Sequence, residues 1–449
     1  MELERKFQEK LIGIRRDCTV AVAVSGGVDS MVLMHLMSLV ETHNPIILTV
    51  NHGFREEAVN EVNFVKQQAE MLNLQCHILS NQGCSIRNKS QEEARNIRYS
   101  LIERWCAEHS VEFVVTAHTK SDQAETVLMR LERGSGVDGL SGMRSKSAHG
   151  KVIIFRPMLE FSRVEVLEYA AHKKLAWIDD PSNVNPKYKR TFYRSFISEN
   201  QNPSLVTDRI YRTSQHMQRA LSCILHYVKS SLSTCVQYGD LGYVRIKYDE
   251  FRKLHEEIAS RILLLLLMAV GNRNTKPRYE KFSAVFNKIW GRTTYKPFTT
   301  YGCKIIRDDE NGDVLIIREV ADIQRVTPVE KVPSTVEWDG RFVVSIKDMG
   351  QCLGHNKELT KECGALDSLN AGARGDTMHL TPLGCNKIPE DFAPFRRDIV
   401  CGLPALVVGD KILASALQNY NMGTTSVVYI EKVLVKDMVD SLIFNQLGQ

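Results

Sequence analysis

The chain has 449 residues, of which 43% are hydrophobic and 25% charged, and a formal net charge of +5. That balance excludes a disordered, collagen-like or coiled-coil protein, and about 150 residues per domain predicts two to four domains. The mild positive charge permits a nucleic-acid partner without establishing one. The opening MELERKFQEK is charged and lacks the apolar core of a secretory signal. The longest apolar run, residues 262–270, falls well short of the ~20 residues that span a bilayer. A soluble, cytoplasmic protein with no membrane partner is expected. The 11 cysteines include no C-x-x-C pair. This argues against a disulfide framework and against a thiolate zinc or iron–sulfur site.

In chain order, residues 19–24 (TVAVAV), 45–50 (PIILTV), 74–79 (LQCHIL), 112–117 (EFVVTA) and 152–155 (VIIF) read as strands. Helical spacing separates them, as in Met31, Met34, His35 and Leu39, and again in Val62, Val65, Ala69 and Leu72. Ser90 with Glu93 and Ser162 with Glu165 have capping-box spacing. Repeated strand–helix units with near-continuous apolar strands predict an α/β fold, with a doubly wound, mainly parallel five-stranded sheet. Ligands of such sheets bind at the carboxyl ends of the strands. Residues 203–290 read as mostly helical, with 262–268 buried and Pro277 as a break. A hairpin follows at 299–318, turning near Gly312, and a polar linker at 326–334. The remainder reads as a small α+β region. The expected domains are 1–200 (catalytic), 201–325 (helical) and 335–449 (C-terminal).

The first strand ends in Ser25-Gly26-Gly27-Val28-Asp29-Ser30, and a helix begins at once. Two glycines allow close backbone approach to an anion, and a helix start aims N–H groups at it. Ser25 and Ser30 add hydroxyls. Asp29 makes sense if it holds Mg²⁺ or seats a cationic substrate beside phosphates. The string lacks the lysine of a Walker A loop and is not G-x-G-x-x-G. The plain alternative is a tight ligand-free turn. The fourth strand runs into His118-Thr119-Lys120-Ser121-Asp122-Gln123-Ala124-Glu125-Thr126. The i, i+3 spacing puts Asp122 and Glu125 on one helical face. Such a pair can hold a metal or an ammonium, or simply complement a helix start. Glycines at 134, 136, 139 and 142 form a segment that could close over a nucleotide or serve as a surface loop.

The phosphate-loop string resembles the PP-loop of ATP pyrophosphatases, which cleave ATP between the α- and β-phosphates. Further strings resemble the tRNA(Ile)-lysidine synthase family. They are V-N-H-G-F-R at 50–55, E-A-R-N-I-R-Y at 93–99, H-x-x-x-D-Q-A-E-T at 118–126, R-G-S-G at 133–136, Arg156-Pro157 and D-D-P-S-N at 179–183. The likeness continues through P-R-Y-E-K at 277–281, Gly302-Cys303, Phe395-Arg396-Arg397, Leu403-Pro404 and Val408-Gly409. Ser121 departs from the family, which often carries two consecutive acids there.

The resemblance implies an ATP- and Mg²⁺-dependent ligase. It would adenylate C2 of the wobble cytidine in the CAU anticodon of an isoleucine tRNA, and the ε-amine of free lysine would displace AMP. Lysidine then pairs with A, which switches the tRNA from Met to Ile identity. The implied catalytic residues are Asp29, His118, Asp122 and Glu125. ATP would contact Ser25, Gly26, Gly27, Val28, Asp29, Ser30, Arg133 and Gly134, with Asp29 and Asp122 as metal ligands. The acids could divide metal and lysine-ammonium binding, and a carboxylate or His118 could be the base. For RNA, residues 187–194 (KYKRTFYR) combine cations for phosphates with aromatics for splayed bases. Lys189, Arg190 and Arg194 are the candidates there, with Arg95 and Arg98 upstream. A homodimer is compatible with the sequence. The competing readings are a cytidine thiolase, disfavoured by the missing C-x-x-C, a small-molecule synthetase such as a GMP or NAD synthetase, and a non-catalytic RNA-binding protein.

Overall fold

The protein is described from a computed structural model. It covers residues 2–51, 57–80, 91–179, 189–291, 295–309, 311–323, 327–329, 334–346, 378–382, 399, 401–408, 411–415 and 428–447. Residues 52–55, 90, 180–183, 187–188, 395–397 and 409 of the strings above lie outside the described residues. The chain divides into two compact units, Met1–Cys223 with Phe444–Gln449, and Ile224–Ile443. No described helix is long and apolar enough to cross a membrane.

The first unit runs α1 (Glu2–Leu11), β1 (Thr19–Ala23), α2 (Val28–Ser38), β2 (Asn44–Asn51), α3 (Glu57–Met71), β3 (Gln75–Ser80), α4 (Gln91–Glu108) and β4 (Phe113–Thr116). It continues with α5 (Lys120–Glu132), α6 (Val137–Leu140), β5 (Lys146–His149), β6 (Val152–Phe155), α7 (Arg163–His172), α8 (Lys189–Ser198) and α9 (Pro203–Cys235). The sheet order is β3-β2-β1-β4-β6-β5. All pairings are parallel except β5 with β6.

All five expected strands are present, and a sixth, antiparallel edge strand joins them. Its sequence, Lys-Ser-Ala-His, has no apolar alternation that would flag a strand. The strand exists because β6 offers it a free edge. The period-2 geometry of β1 splits its side chains between two cores. Val20 and Val22 pack with Phe7, Met34, Met37 and Val166 on one face. Ala21 packs with Leu48, Ile102, Trp105 and Cys106 on the other. The chain proceeds outward from β1 through β2 to β3, then returns to β4 on the other side of β1. The β1/β4 boundary is therefore the topological switch point, where open α/β sheets place their ligands. Ala23 lies level with Thr116 across it, so the turns after both strands start side by side.

The second unit begins inside α9, so the unit boundary falls 23 residues beyond the expected position at 200. Strands β7 (Val236–Tyr238), β8 (Val244–Ile246), β9 (Phe298–Thr300), β10 (Cys303–Arg307) and β11 (Val314–Arg318) form an antiparallel sheet ordered β7-β8-β11-β10-β9. The β10–β11 pair is the expected hairpin. Strands β7 and β8 interrupt a stretch that reads as helical. The expected buried segment lies in α11 (Glu256–Val270), following α10 (Tyr248–Arg252) and preceding α12 (Tyr279–Gly291). Further on are a two-residue strand β12 (Thr327–Pro328), then β13 (Ser334–Trp338), β14 (Phe342–Ile346), β15 (Met378–Pro382), β16 (Pro404–Val408), β17 (Lys411–Ser415) and β18 (Val428–Val433). They form sheets β12-β15-β16-β17 and β13-β14-β18. One apolar cluster joins Leu241, Leu315 and Ile317 of the earlier region to Trp338, Phe342, Leu380 and Leu403 of the later one.

Candidate active site

The phosphate loop is shaped by its own backbone. Gly26 has φ +91°, a conformation closed to ordinary side chains. Its carbonyl accepts from the Ile178 N–H at 2.9 Å, and a Cβ there would lie in ordinary contact with the Ile178 side chain, so the positive φ is what demands glycine. Gly27 differs. Its φ of −73° is ordinary, and a Cβ would project into open space, 3.9 Å from the nearest atom, Ser25 Oγ. A side chain at 27 would therefore fill the cradle rather than strain the chain. Gly27 also caps α2 without a side-chain acceptor, which leaves the helix start available to an anion. Val28 follows as the first helical residue. Ser30 Oγ donates to Gly27 O at 2.8 Å and accepts from Ser25 N at 3.2 Å. It braces the loop, so Ser25 is the freer hydroxyl.

Asp29 is in the first turn of α2. One carboxylate oxygen, Oδ2, is paired with Arg163. The other, Oδ1, is buried with no hydrogen-bond partner among the described residues. Burial raises its pKa, with Arg163 pulling the other way. Glu125, on α5, repeats the arrangement. Only 1% of its side chain is exposed, Oε1 accepts from Arg194 Nε at 2.8 Å, and Arg190 Nε stands 3.9 Å from Oε2. Oε2 has no hydrogen-bond partner among the described residues. Burial and the nearby Asp122 raise its pKa.

Asp122 is already engaged. Its Oδ2 accepts from Thr119 N at 2.9 Å and Thr119 Oγ1 at 3.1 Å, closing a capping box on α5. Burial works to raise its carboxyl, but His118, Arg190 and the Thr119 bonds hold it below the ordinary value. His118 shares a 2.9 Å hydrogen bond with Thr116 Oγ1. Burial, reinforced by Arg156, Arg95 and Arg190, pushes its imidazole down to about 3 despite Asp122. It is neutral at physiological pH.

Asp29, Asp122 and Glu125 thus share one electrostatic site with His118, Arg163, Arg190 and Arg194. Arg95 lies 5.1 Å from the Tyr99 ring and, like Arg98, is exposed on α4. Arg156, at the end of β6, is buried. Its Nη1 donates to Arg144 O at 2.9 Å and to Ser147 Oγ of the unforeseen β5 at 3.0 Å. Lys189 is elsewhere, paired with Glu132 at 2.9 Å. Arg133 and Gly134 follow the C-terminal end of α5, roughly 16 Å along the helix axis from Asp122. No trio of His, Cys, Asp or Glu among the described residues is close enough to form a ready-made metal cage.

The glycine-dense segment is fastened at one end. Gln123, wholly buried, accepts from Met143 N at 2.7 Å and donates to Met143 O at 3.0 Å and Ser214 Oγ at 3.2 Å. Arg130 holds the carbonyls of Gly139 and Gly142, and Gln218 holds those of Ser141 and Met143. Only around Gly134 and Gly136 is there open space, with nothing within 4 Å of an added Cβ.

Residues 1–201 match the PP-loop domain family. Along its whole length the chain is 47% identical to a tRNA(Ile)-lysidine synthase of Anaplasma marginale (strain St. Maries), covering 96% of that protein. The chain belongs to the tRNA(Ile)-lysidine synthase family. The member from Wolbachia pipientis wMel is 40% identical over 95% of each chain. The member from Wolbachia sp. subsp. Brugia malayi (strain TRS) is 42% identical over 78% of this chain and 83% of its own. Membership disfavours the thiolase and small-molecule synthetase readings. For a lysidine synthase family member, sequence reasoning missed one residue of this site and the partner of another. Arg163 is separated from Asp29 by 134 positions, and only its place just after the Ser162 cap hinted at it. Arg194 was visible as a cation but not as the partner of Glu125.

Proposed function

We propose that this chain uses ATP to adenylate C2 of the wobble cytidine in the CAU anticodon of an isoleucine tRNA, and then joins lysine to it. AMP and pyrophosphate leave, and lysidine is the product. The observation that carries the reading is the junction of two features at one switch point: a phosphate cradle kept open at Gly27, and two acids each with a buried oxygen that has no hydrogen-bond partner among the described residues.

The oxygen-only donor set suits Mg²⁺, which takes one or two carboxylates and completes its shell with phosphate oxygens and water. Asp29 and Asp122 are the residues that would hold it. When bound, Mg²⁺ would offset charge on the ATP phosphates. The backbone of Gly26 and Gly27 and the start of α2 receive the phosphates. Glu125 suits the lysine ammonium: its open oxygen is buried, and its raised pKa equips it to take a proton as the amine attacks. Burial lowers the proton affinity of His118, which favours a hydrogen-bonding role for it beside Glu125.

Arg95 and Arg98 present cations on α4, while Phe192 and Phe196 expose aromatic faces on α8 for splayed bases. Residues 1–200 carry the chemistry in this scheme, and residues 201–325 and 335–449 select the tRNA. The test is pyrophosphate release from ATP with an isoleucine tRNA bearing CAU, with and without lysine, against methionine tRNA. Release specific to the isoleucine tRNA, with labelled lysine entering that RNA, supports the proposal. Release that ignores the tRNA rejects it.

A further inference from the structure

Arg163 occupies a position that helix electrostatics disfavours. It is the first residue of α7, directly after the Ser162 cap, where a cation opposes the positive end of the helix dipole. Yet its base is held firmly. The Ser162 N–H and hydroxyl each donate to Glu165 at 2.8 Å, closing a capping box. Val166, Tyr169 and Ala170 are buried in the core that α2 shares. Tyr169 shares a 3.0 Å hydrogen bond with His35 of α2 and donates to Glu4 of α1 at 3.0 Å. The turn just before α7 is tied to the acid-bearing helix, since Phe161 O accepts from the Lys120 N–H at 3.0 Å. The guanidinium is therefore delivered to Asp29 from a rigid platform. It engages Oδ2 alone and leaves Oδ1 buried without a partner among the described residues.

We propose that Arg163 is a positioning residue for the phosphate loop: it holds one oxygen of Asp29 so that the other is presented to the divalent cation that accompanies the ATP phosphates. This rests on reading the loop as an ATP site. It adds a residue outside every string that carries the family resemblance.

The experiment measures equilibrium binding of Mn²⁺, by the electron-paramagnetic signal of the free ion, to full-length protein saturated with α,β-methylene ATP. Metal-free binding of the same nucleotide is measured separately in the presence of EDTA. R163M weakens Mn²⁺ binding by about tenfold or more, the size expected when a group orienting a metal ligand is lost. Metal-free nucleotide binding stays at the wild-type value, and R163K recovers most of the Mn²⁺ affinity. Wild-type Mn²⁺ affinity in folded R163M overturns the proposal. So does an equal loss of metal-free nucleotide binding, which would make Arg163 a phosphate ligand. If R163M does not fold, R163Q is read against the same outcomes. Neither tRNA nor lysine is present, so failure of the tRNA assay leaves this result standing. Wild-type protein that does not bind the analogue overturns both readings.

Discussion

Two arginine–carboxylate clusters, one in each unit, are built from the same chemistry and do opposite things. In the second unit Asp339 is 3% exposed and both its oxygens are filled, Oδ1 by Arg318 and Oδ2 by Arg318 and Arg341. Arg318 also donates to the carbonyls of Gly271, Gly302 and Asp322, and Arg341 to that of Gly402. That network welds the β10–β11 hairpin to the strands that follow. In the first unit, Asp29 and Glu125 each accept a guanidinium hydrogen bond through one oxygen; the other oxygen is buried with no hydrogen-bond partner among the described residues, though Arg190 stands 3.9 Å from that of Glu125. A saturated cluster serves the fold. An unsaturated one keeps capacity for something that arrives, at a cost in stability.

The comparison can be broken most sharply at Glu125. Glu125→Gln keeps the shape but removes the charge. Lysine-dependent AMP formation should fall about 10²- to 10⁴-fold, the usual contribution of a positioned acid–base group. Its stability should respond to pH in a way that shows why. Glu125 is held above its ordinary value of 4.5, so the folded state binds its proton more readily than the unfolded state does. The wild type therefore loses stability as pH rises from the ordinary value through the raised one. The variant lacks this loss and should gain on the wild type over that window in urea titrations at stepped pH. A constant difference would show that the carboxylate is not strained.

Asp339→Ala should do the reverse. It strands two buried arginines, and breaking such a pair costs about 3–5 kcal/mol. Chemical denaturation should record that loss, while turnover per folded molecule stays near wild type.

The smallest effect separates Arg194 from Arg95. Arg95→Ala should lower the slope of tRNA affinity against salt by about 1, as expected for one lost phosphate contact. Arg194→Ala should leave that slope unchanged and raise the KM for lysine instead, because its guanidinium is committed to Glu125. A lowered slope for Arg194→Ala would return it to the RNA footprint.

Local signals made much of this site legible. The β-rich run before Ser25, the glycine pair and the placement of Asp122 and Glu125 on one helical face are all local patterns, and all appear as expected. What was missed has definite causes. Strand β5 is polar and forms only against the edge of β6. Strands β7 and β8 are three residues each, too short for periodicity to register. The bracing of the loop by Ser30, whose hydroxyl donates to the Gly27 carbonyl at 2.8 Å, is a contact no local pattern announced. The segment around Gly139 and Gly142 looked loose, yet Gln123, Arg130 and Gln218 fasten it.

By itself the sequence determined the α/β class, the five parallel strands, the phosphate loop and the family. Each depends on spacing within a short window, where backbone sterics and periodicity act. Only the tertiary structure decided which charges meet. Asp29 with Arg163 and Glu125 with Arg194 are pairs 134 and 69 positions apart. The pairing of ions depends on burial and distance, which come into being only once the sheet has brought its strand ends together.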